Sequence, residues 1–286
     1  MVGVVVSDRG DAVEMVVTGP WTAEASAMVQ AGNVDRLVLN YALGFNEPSL
    51  DFLQGLPLRE LVILDPRLTD LEPIHALAPS LRVLHVTTNP VLKVDLDRLS
   101  GLRVLSAAWP QVSASIEAAT GLEVAFLRGY QPADLKPLTP LTGLVELVMK
   151  DRPRLKSLAG LSALPLLRLL EVYLAKDLAD TDELAGRTGL RKLTLESCRR
   201  VGQVDVLTGC TGLRTLNLTE CGDLASLGPI RSLTNLENLL LYGSTKIVDN
   251  DLSPLAALPR LRQLRMQSRR SYRPSVDEIQ ASLPRE

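Results

Sequence analysis

The unit L-x-x-L-x-L recurs along this chain at nearly constant spacing, and this recurrence limits the possible folds more than any other feature. Ten copies follow one another at intervals of 20 to 25 residues, and a degenerate copy, VDRLVLN, begins 24 residues before the first. One match would mean little in a leucine-rich chain, but eleven in register predict a stacked repeat architecture. The degenerate copy starts at Val34, and the others start at Leu58, Leu81, Leu102, Leu122, Leu144, Leu167, Leu190, Leu213, Leu236 and Leu261.

The spacing of leucines within each unit predicts a short strand with two different sides. The first, fourth and sixth positions point inward, and the residues between them point outward, because side chains alternate along a strand. One coil cannot bury its own leucines, so each must stack on its neighbours and the ends need caps. Eleven strands at about 4.8 Å spacing would form a parallel sheet roughly 50 Å along its arc.

These motifs resemble the leucine-rich-repeat family over roughly residues 34 to 268. The copy CTGLRTLNLTECGDL, from Cys210 to Leu224, is similar to the cysteine-containing repeat, whereas LEPIHAL, LKPLTPL, LGPIRSL and LSPLAAL resemble the short repeats of internalins and phosphatase-regulating proteins. The resemblance implies an α/β fold of about eleven coils: a curved right-handed solenoid with a parallel sheet on its concave face. Short helices or 3₁₀ turns would then lie on the convex face.

The chain departs from the family at the turn after each strand. The usual Asn, whose amide bonds the turning backbone, survives only as Asn89. The buried turn amides elsewhere must find other partners or water, and we expect the most irregular coils from Leu102 to Leu141. The equivalent positions hold Pro66, Pro110, Tyr130, Arg152, Ala175, Cys198, Cys221 and Ser244.

Residues 1–33 read as an N-terminal cap. Residues 2–6 and 13–18 are apolar around SDRGDA and predict a β-hairpin. Thr22 to Ala31 has helical composition, with Thr22 as N-cap and Gly32 past the end. A separate functional domain is the alternative, although so small a unit rarely holds a core.

Residues 269–286 read as a C-terminal cap. Ser275, with Glu278 three residues on, forms a capping box that opens a helix. Val276, Ile279 and Leu283 would share the face of this helix that seals the last coil. Caps at both ends favour a complete protein.

The composition narrows the function classes. Lys+Arg 31 against Asp+Glu 33 gives a net charge of −2, which argues against a general nucleic-acid binder. No apolar run is long enough to cross a membrane, and the start is a poor signal peptide. Three cysteines without a CxxC motif favour a reduced, cytoplasmic protein. An Arg-to-Lys ratio of 24 to 7 favours a bacterial source of high GC content.

No motif indicates catalysis, a cofactor or a small-molecule site. His75 and His85 are the only histidines, and neither has a Cys or carboxylate at metal-ligand spacing. Asp249, Asn250 and Asp251 favour a solvated turn over a calcium site, since the terminal Glu of the calcium loop is absent. We therefore expect a protein that is not an enzyme.

Three further motifs each have a functional and a structural reading. Cys198 and Cys221 lie 23 residues apart, one repeat, and filling the corner of the coil is favoured over redox chemistry. Residues 9–11 spell Arg-Gly-Asp, which favours a hairpin turn over an adhesion motif. A cluster of arginines is either a patch for an acidic partner or phosphate backbone, or a solvated terminal coil: Arg260, Arg262, Arg265, Arg269, Arg270 and Arg273.

The outward strand positions predict a binding surface on the concave face. Its first half is apolar and its second half polar around two tyrosines. A contiguous exposed apolar patch marks an interaction site, although β-branched residues also simply suit strands. The apolar half comprises Val62, Leu64, Val83, Val104, Val124, Phe126 and Val148, and the polar half Glu171, Lys192, Glu196, Asn217 and Asn238 around Tyr173 and Tyr242.

We predict that a protein partner contacts this face, because aromatic and Arg side chains carry most interface energy. Trp109 is expected on the rim, with burial in the irregular fourth coil as the alternative. The predicted contact residues are Val62, His85, Val104, Trp109, Phe126, Arg128, Lys150, Tyr173, Glu196 and Tyr242.

Four function classes remain to be distinguished. The favoured one is a non-catalytic binding protein of inhibitory, regulatory or immunity type, which mutation of the face to charge would disable. An enzyme would need a nucleophile and base that the short ends lack. A self-associating scaffold predicts a mass above 31.1 kDa. Nucleic-acid binding through the terminal arginines predicts steep salt dependence.

Overall fold

The computed structural model describes residues 3–8 and 12–284, which fall into two compact units with the boundary between residues 128 and 129. The division predicted from the sequence, with caps at 1–33 and 269–286 around a solenoid at 34–268, stays a proposal.

The first unit contains seven described strands that follow one another in chain order. β1 pairs antiparallel with β2, and each later strand pairs parallel with the one before it. From β3 on, each strand begins at the third position of a predicted repeat. The strands are β1 (Val4–Asp8), β2 (Val13–Val17), β3 (Arg36–Asn40), β4 (Glu60–Leu64), β5 (Val83–Thr87), β6 (Val104–Ala108) and β7 (Val124–Arg128).

The second unit contains six described strands, again in chain order, and their pairings are parallel. The positions of the strands confirm the predicted repeats. The strands are β8 (Glu146–Lys150), β9 (Leu169–Tyr173), β10 (Lys192–Glu196), β11 (Thr215–Asn217), β12 (Asn238–Leu241) and β13 (Gln263–Met266).

Register partners place the inward leucines in columns. Leu170 pairs with Leu193 and Leu193 with Leu216, and all three are fully buried. Each such leucine contributes about 1.5 to 3 kcal/mol when it leaves water. The core of each unit is therefore a stack of aliphatic side chains, as the repeat predicts.

Short return segments connect the strands. The α-helices are α1 (Ala23–Gln30), α2 (Trp109–Val112), α3 (Ser253–Ala256) and α4 (Val276–Ser282). The 3₁₀ helices are Tyr41–Leu43, Asp51–Leu53, Glu72–Leu77, Leu96–Arg98 and Ile116–Ala118 in the first unit, and Lys136–Leu138, Leu161–Ala163, Asp182–Leu184, Asp205–Gly209 and Gly228–Ser232 in the second.

Carboxylates start many of these returns. Asp134 Oδ1 accepts from the Lys136 amide at 3.1 Å, and Asp180 Oδ1 accepts from the Asp182 amide at 3.1 Å. Each bond satisfies an amide that has no partner within the turn itself. The pKa of Asp180 is lowered by its hydrogen bonds, first from Ser157 and then from the Asp182 amide. Sequence reasoning identified the returns but not these capping side chains.

The turns that follow β8 to β12 each contain a residue with a left-handed backbone. Leu174, Ser197 and Glu220 have φ of 64°, 58° and 55°, and Gly129 and Gly243 occupy the same place in other coils. A non-glycine residue in this region costs about 1 kcal/mol or more. The residues that follow Leu174, Ser197 and Glu220 are buried, and their packing offsets this cost.

Buried side chains replace the missing Asn after these turns. Cys198 Sγ lies 3.7 Å from Val172 O, and Cys221 Sγ also contacts a strand carbonyl in its neighbouring coil, Leu195 O. Thr245 does the same work in the next coil, since its Oγ1 donates to Leu218 O at 2.7 Å and accepts from the Cys221 amide at 2.8 Å. The assignment of Ser244 to this place is wrong by one residue.

The coil around β6 is irregular, as the shortened repeats predict. Pairing between β5 and β6 stops at His85–Ser106, whereas β6 and β7 pair over five residues. The chain then enters α2 directly. Gln111, which is buried, donates to Thr88 Oγ1 at 2.9 Å and accepts from the Ala108 amide at 3.1 Å.

The local elements predicted for the two ends are present in the described residues. Thr22 Oγ1 accepts from the Ala25 amide at 3.1 Å, and Gly32 beyond α1 has a φ of 74°. Ser275 and Glu278 form the predicted capping box at α4, where Val276 and Ile279 are buried. The Arg-Gly-Asp tripeptide at 9–11 lies outside the described residues.

Candidate partner-binding surface

We call the surface formed by the third, fifth and seventh side chains of the repeat strands the strand face. In the first unit the predicted contact residues Val62, His85, Val104 and Phe126 all lie on it, and all are half-buried. Val62 and His85 are register partners on adjacent strands. These side chains are partly exposed, and the contiguous apolar patch expected on this unit stays a prediction.

The side chain of Arg128 covers part of the Phe126 ring. Its guanidinium carbon lies 5.9 Å from the centroid of the Phe126 ring, and its Nη1 donates to Ser106 Oγ at 3.2 Å. Its Nη2 donates to the carbonyl of Val86, beyond the point where pairing between β5 and β6 stops. Arg128 thus completes the irregular sheet as well as lying on the predicted face.

His85 lies beside a row of charges on the same unit. Arg36 contacts Glu14 at 3.0 Å and Glu60 at 2.8 Å, and His85 Nε2 lies 3.8 Å from Glu60. Burial is the largest cause that lowers the pKa of His85, followed by the charges of Arg36 and Arg128. The imidazole is therefore neutral at neutral pH and is a poor partner for an acidic ligand.

Trp109 does not lie exposed on the rim. Its side chain is 6% exposed, and it begins α2 next to the buried Val112. The expectation of a rim contact is wrong, and the alternative of burial in the irregular fourth coil agrees with the structure. Burial of this large apolar ring is favoured because it removes more apolar surface from water than a rim position would.

The strand face of the second unit begins with a hydrogen-bonded network. Lys150 Nζ lies 4.8 Å from the centroid of the Tyr173 ring, and Tyr173 Oη donates to Glu171 Oε2 at 3.1 Å. Lys192 Nζ contacts the other oxygen of Glu171 at 2.6 Å. Burial, followed by the charge of Glu171, raises the pKa of Tyr173 to about 12. The network holds these side chains in place before any partner arrives.

A cavity of about 500 Å³ follows on the same face, and we call it the strand-face pocket. Tyr242 stands at its wall with 60% of its surface exposed. Asn217 Nδ2 donates to Glu196 Oε2 at 3.1 Å, which orients the carboxylate within the pocket. The residues that line it are Glu196, Asn217, Thr219, Leu240, Tyr242, Leu264, Arg265, Met266 and Gln280.

The structure brings together some predicted contact residues and adds others. Glu196 and Tyr242 share the strand-face pocket, and Lys150 lies over Tyr173. Sequence reasoning missed Leu264 and Met266, which occupy inward positions and line the pocket although both are buried. It also missed Gln280 of α4, whose Nε2 donates to Leu264 O at 3.0 Å. The capping box signalled α4, but no signal placed it beside this face.

The two histidines and the acidic turn are accounted for by local bonding. His75 is buried, with Nδ1 2.9 Å from Glu72 O and Nε2 accepting from the Asp95 amide at 3.0 Å, so it links two coils. Asp249 and Asp251 each accept from a backbone amide of their own turn. Across residues 3–8 and 12–284, no group of three or more His, Cys, Asp or Glu is placed to hold a metal ion.

The cysteine thiols are expected to be inert in the folded protein. Burial raises the pKa of Cys198 and of Cys221 to about 12, and burial also raises the pKa of Cys210. A thiol with such a pKa is thiolate in on the order of one molecule in ten thousand at pH 8. We expect a maleimide to label no thiol over an hour in buffer and all three in urea. Rapid labelling of one thiol in the native protein would contradict this prediction and would favour redox chemistry at that cysteine.

Comparisons with known proteins agree with the repeat pattern. Neither a scan against protein-family models nor a search of curated proteins finds a match. An internalin, inlF, from Listeria monocytogenes superposes with a TM-score of 0.63 at 17% identity, covering 95% of this chain and 85% of that one. The leucine-rich-repeat protein LIC12759 from Leptospira interrogans gives 0.57 at 17% identity, covering 89% and 77%.

A plant peptide hormone receptor, RGFR1, gives a TM-score of 0.54 at 18% identity, covering 93% of this chain and 40% of that one. These likenesses indicate no catalytic family. None of the described helices has the length and apolar content needed to span a bilayer. The eleven parallel repeat strands, their buried leucines and these superpositions show that the chain has the leucine-rich-repeat fold.

Proposed function

We propose that this chain is a non-catalytic module that binds a protein partner on the strand face of its second unit. The strand-face pocket carries the proposal. It combines the apolar side chains of Leu240 and Met266 with an exposed tyrosine, Tyr242, and oriented polar groups at its edge. Tyrosine and Arg side chains beside such pockets carry most of the energy of protein interfaces.

The side chains on the strand face beside the pocket are already held in place by their own contacts. This supports the proposal of a binding surface that is formed before the partner arrives. Glu171, Tyr173 and Lys192 are already bonded to one another, so their order costs a partner little on binding. The plant receptor RGFR1 was solved in complex with RGF2, and TLR13, which also has this fold, in complex with ssRNA13. The fold thus accommodates more than one class of ligand, and the pocket chemistry is our reason for choosing protein. An inhibitory, regulatory or immunity-type role remains part of this proposal.

The C-terminal arginines give weaker support to the nucleic-acid alternative. Arg260 Nη1 donates to Asn235 Oδ1 at 2.9 Å, and Arg273 Nη1 donates to the carbonyls of Arg270 and Tyr272 at 2.8 and 2.7 Å. These bonds stabilise the terminal coil itself. At least Arg260 and Arg273 of this cluster therefore have a structural role.

A quantitative pull-down tests the proposal. Immobilised wild-type protein is compared with Tyr242→Glu and with the control Leu166→Glu, which adds the same charge at an apolar side chain that is 56% exposed and lies before β9, outside the strand face. The charge of Tyr242→Glu would be buried beneath the bound partner. It should therefore lower recovery of the partner at least about tenfold. Equal recovery on all three proteins would contradict the proposal. Recovery of the chain itself, with a sedimentation mass above 31.1 kDa, would favour the scaffold alternative.

A further inference from the structure

A second cavity of about 510 Å³ lies where β8, β9 and β10 end, and we call it the rim groove. Its walls come from the turns that follow these three strands, together with Gln131. They carry four cationic side chains and one carboxylate, with an apolar side chain, Leu174, exposed among them. The charged residues are Arg152, Arg154, Lys176, Arg199 and Asp177.

The cations of the rim groove differ from several others in the described residues. Some cations elsewhere bind a neighbouring carboxylate, as Lys192 binds Glu171 at 2.6 Å and Lys246 binds Asp223 at 2.9 Å. Within the part of the chain that the structure describes, none of the four groove cations forms an ion pair or a side-chain hydrogen bond, and all four are exposed. Like charges gathered in this way repel one another, although the whole chain carries a net charge of −2. An anionic ligand would relieve that repulsion.

The backbone gathers these charges at one edge of the sheet. Asp151, Leu174 and Ser197 are the first residues after β8, β9 and β10, and they have left-handed φ of 61°, 64° and 58°, so the chain starts each of these turns in the same way. Successive coils lie about 4.8 Å apart. The cations therefore span roughly 10 Å across three coils, the length of three or four residues of an extended peptide.

We propose that the rim groove binds a short acidic segment of polypeptide. Arg guanidinium groups pair with carboxylates in a bidentate manner, and Leu174 offers contact to an apolar side chain between them. Single-stranded nucleic acid is disfavoured because its recognition uses stacking on aromatic rings, and none of the residues that line the groove is aromatic. A span of roughly 10 Å also meets only about three phosphates of each strand of a duplex.

The groove lies directly beyond the strand face. Tyr173, which ends β9, is followed at once by Leu174 in the groove. A partner on the strand face could therefore extend an acidic segment into it. The two sites are nevertheless tested separately, because the groove is probed with a peptide that needs no contact with Tyr242.

Fluorescence anisotropy with the full chain tests this proposal. The probe is a fluorescein-labelled peptide, Glu-Glu-Leu-Glu-Glu-Leu-Glu-Glu, and its comparators are the same peptide with Gln for Glu and a labelled single-stranded uridine RNA with six phosphates. We expect the acidic peptide to bind, the Gln peptide not to bind, and affinity to fall as salt is raised from about 50 to about 500 mM.

Matched variants locate the binding. Arg154→Glu/Arg199→Glu should weaken binding of the acidic peptide at least about tenfold, since both charges reverse within the groove. The control Arg262→Glu/Arg270→Glu makes the same change in net charge within the C-terminal cluster and should change the affinity less than about twofold. Lys176→Glu serves as a second, single groove variant, and thermal melting by circular dichroism checks that each variant folds.

Three outcomes would overturn the proposal. The first is no binding of the acidic peptide to the wild-type protein, and the second is equal weakening by the groove and control variants. The third is tighter binding of the RNA than of the peptide, which would assign the groove to nucleic acid instead. The proposal for the strand-face pocket is tested independently of these outcomes, by the pull-down with Tyr242→Glu.

Discussion

Gly160→Ala should destabilise this protein by about 2 to 5 kcal/mol, far more than an ordinary substitution of glycine by alanine. Gly160 has a φ of 101°, where a side chain costs about 1 to 2 kcal/mol. A Cβ there would also lie 2.8 Å from the carbonyl carbon of Leu135 and 2.9 Å from the Lys136 amide nitrogen, both of them backbone atoms of the neighbouring coil. Backbone atoms cannot turn away, so the two coils must separate.

Two other glycines separate the causes of this loss. Gly186 has a φ of 72° but no atom within 4 Å of a Cβ, so Gly186→Ala should cost only the backbone term of about 1 to 2 kcal/mol. Gly189 has neither feature, and Gly189→Ala should change stability by less than about 1 kcal/mol. Urea denaturation followed by circular dichroism measures all three. Equal losses for Gly160→Ala and Gly186→Ala would show that close approach of the coils is not the cause.

Tyr130→Ala should cost about 3 to 5 kcal/mol, because it empties the space of a fully buried aromatic ring. Tyr130 occupies a turn position where the family has Asn, and its Oη donates to Asp134 O at 2.9 Å. Burial raises the pKa of Tyr130, so the phenol remains a donor throughout the usual pH range. The ring thus fills the corner of the coil while its hydroxyl bonds the turn.

Tyr130→Phe divides these two roles. The ring stays, and the carbonyl of Asp134 loses one donor, for a cost of roughly 1 kcal/mol. The midpoints of urea denaturation for wild type, Tyr130→Phe and Tyr130→Ala should therefore fall in that order with a much larger second step. A loss for Tyr130→Ala within about 1 kcal/mol of that for Tyr130→Phe would mean that the coil closes around the missing ring.

The strands and inward leucines could be predicted from the sequence because each is a local pattern repeated in register. The strand at Glu60–Leu64, for example, follows directly from the unit that begins at Leu58. The sequence showed that most turns lack the family's Asn, but it did not indicate which side chains replace it. Tyr130 and Thr245 answer it with side chains of different length, each reaching a different carbonyl, and no single consensus residue would have indicated both.

The candidate surface was harder to predict because exposure depends on neighbours in the sheet. Phe126 points outward as predicted, but Arg128 lies over its ring. The strand-face pocket depends on Gln280, which is remote in sequence from the repeat strands that it faces. The rim groove was also missed, since its cations are divided among three repeats, two in the first and one in each of the others, and form no run in the sequence.

The central claim is that the strand face of the second unit contacts the partner, and photo-crosslinking at single positions tests it most directly. Benzoylphenylalanine replaces Tyr242 in one protein and Leu166 in another, two exposed sites of similar accessibility, at 60% and 56%. After irradiation in source-cell lysate, position 242 should give one discrete adduct that excess unlabelled wild-type protein abolishes, and position 166 should give none. An adduct of equal yield at 166, or none at 242 while wild-type protein still recovers the partner, would contradict the claim and place the interface elsewhere on the chain.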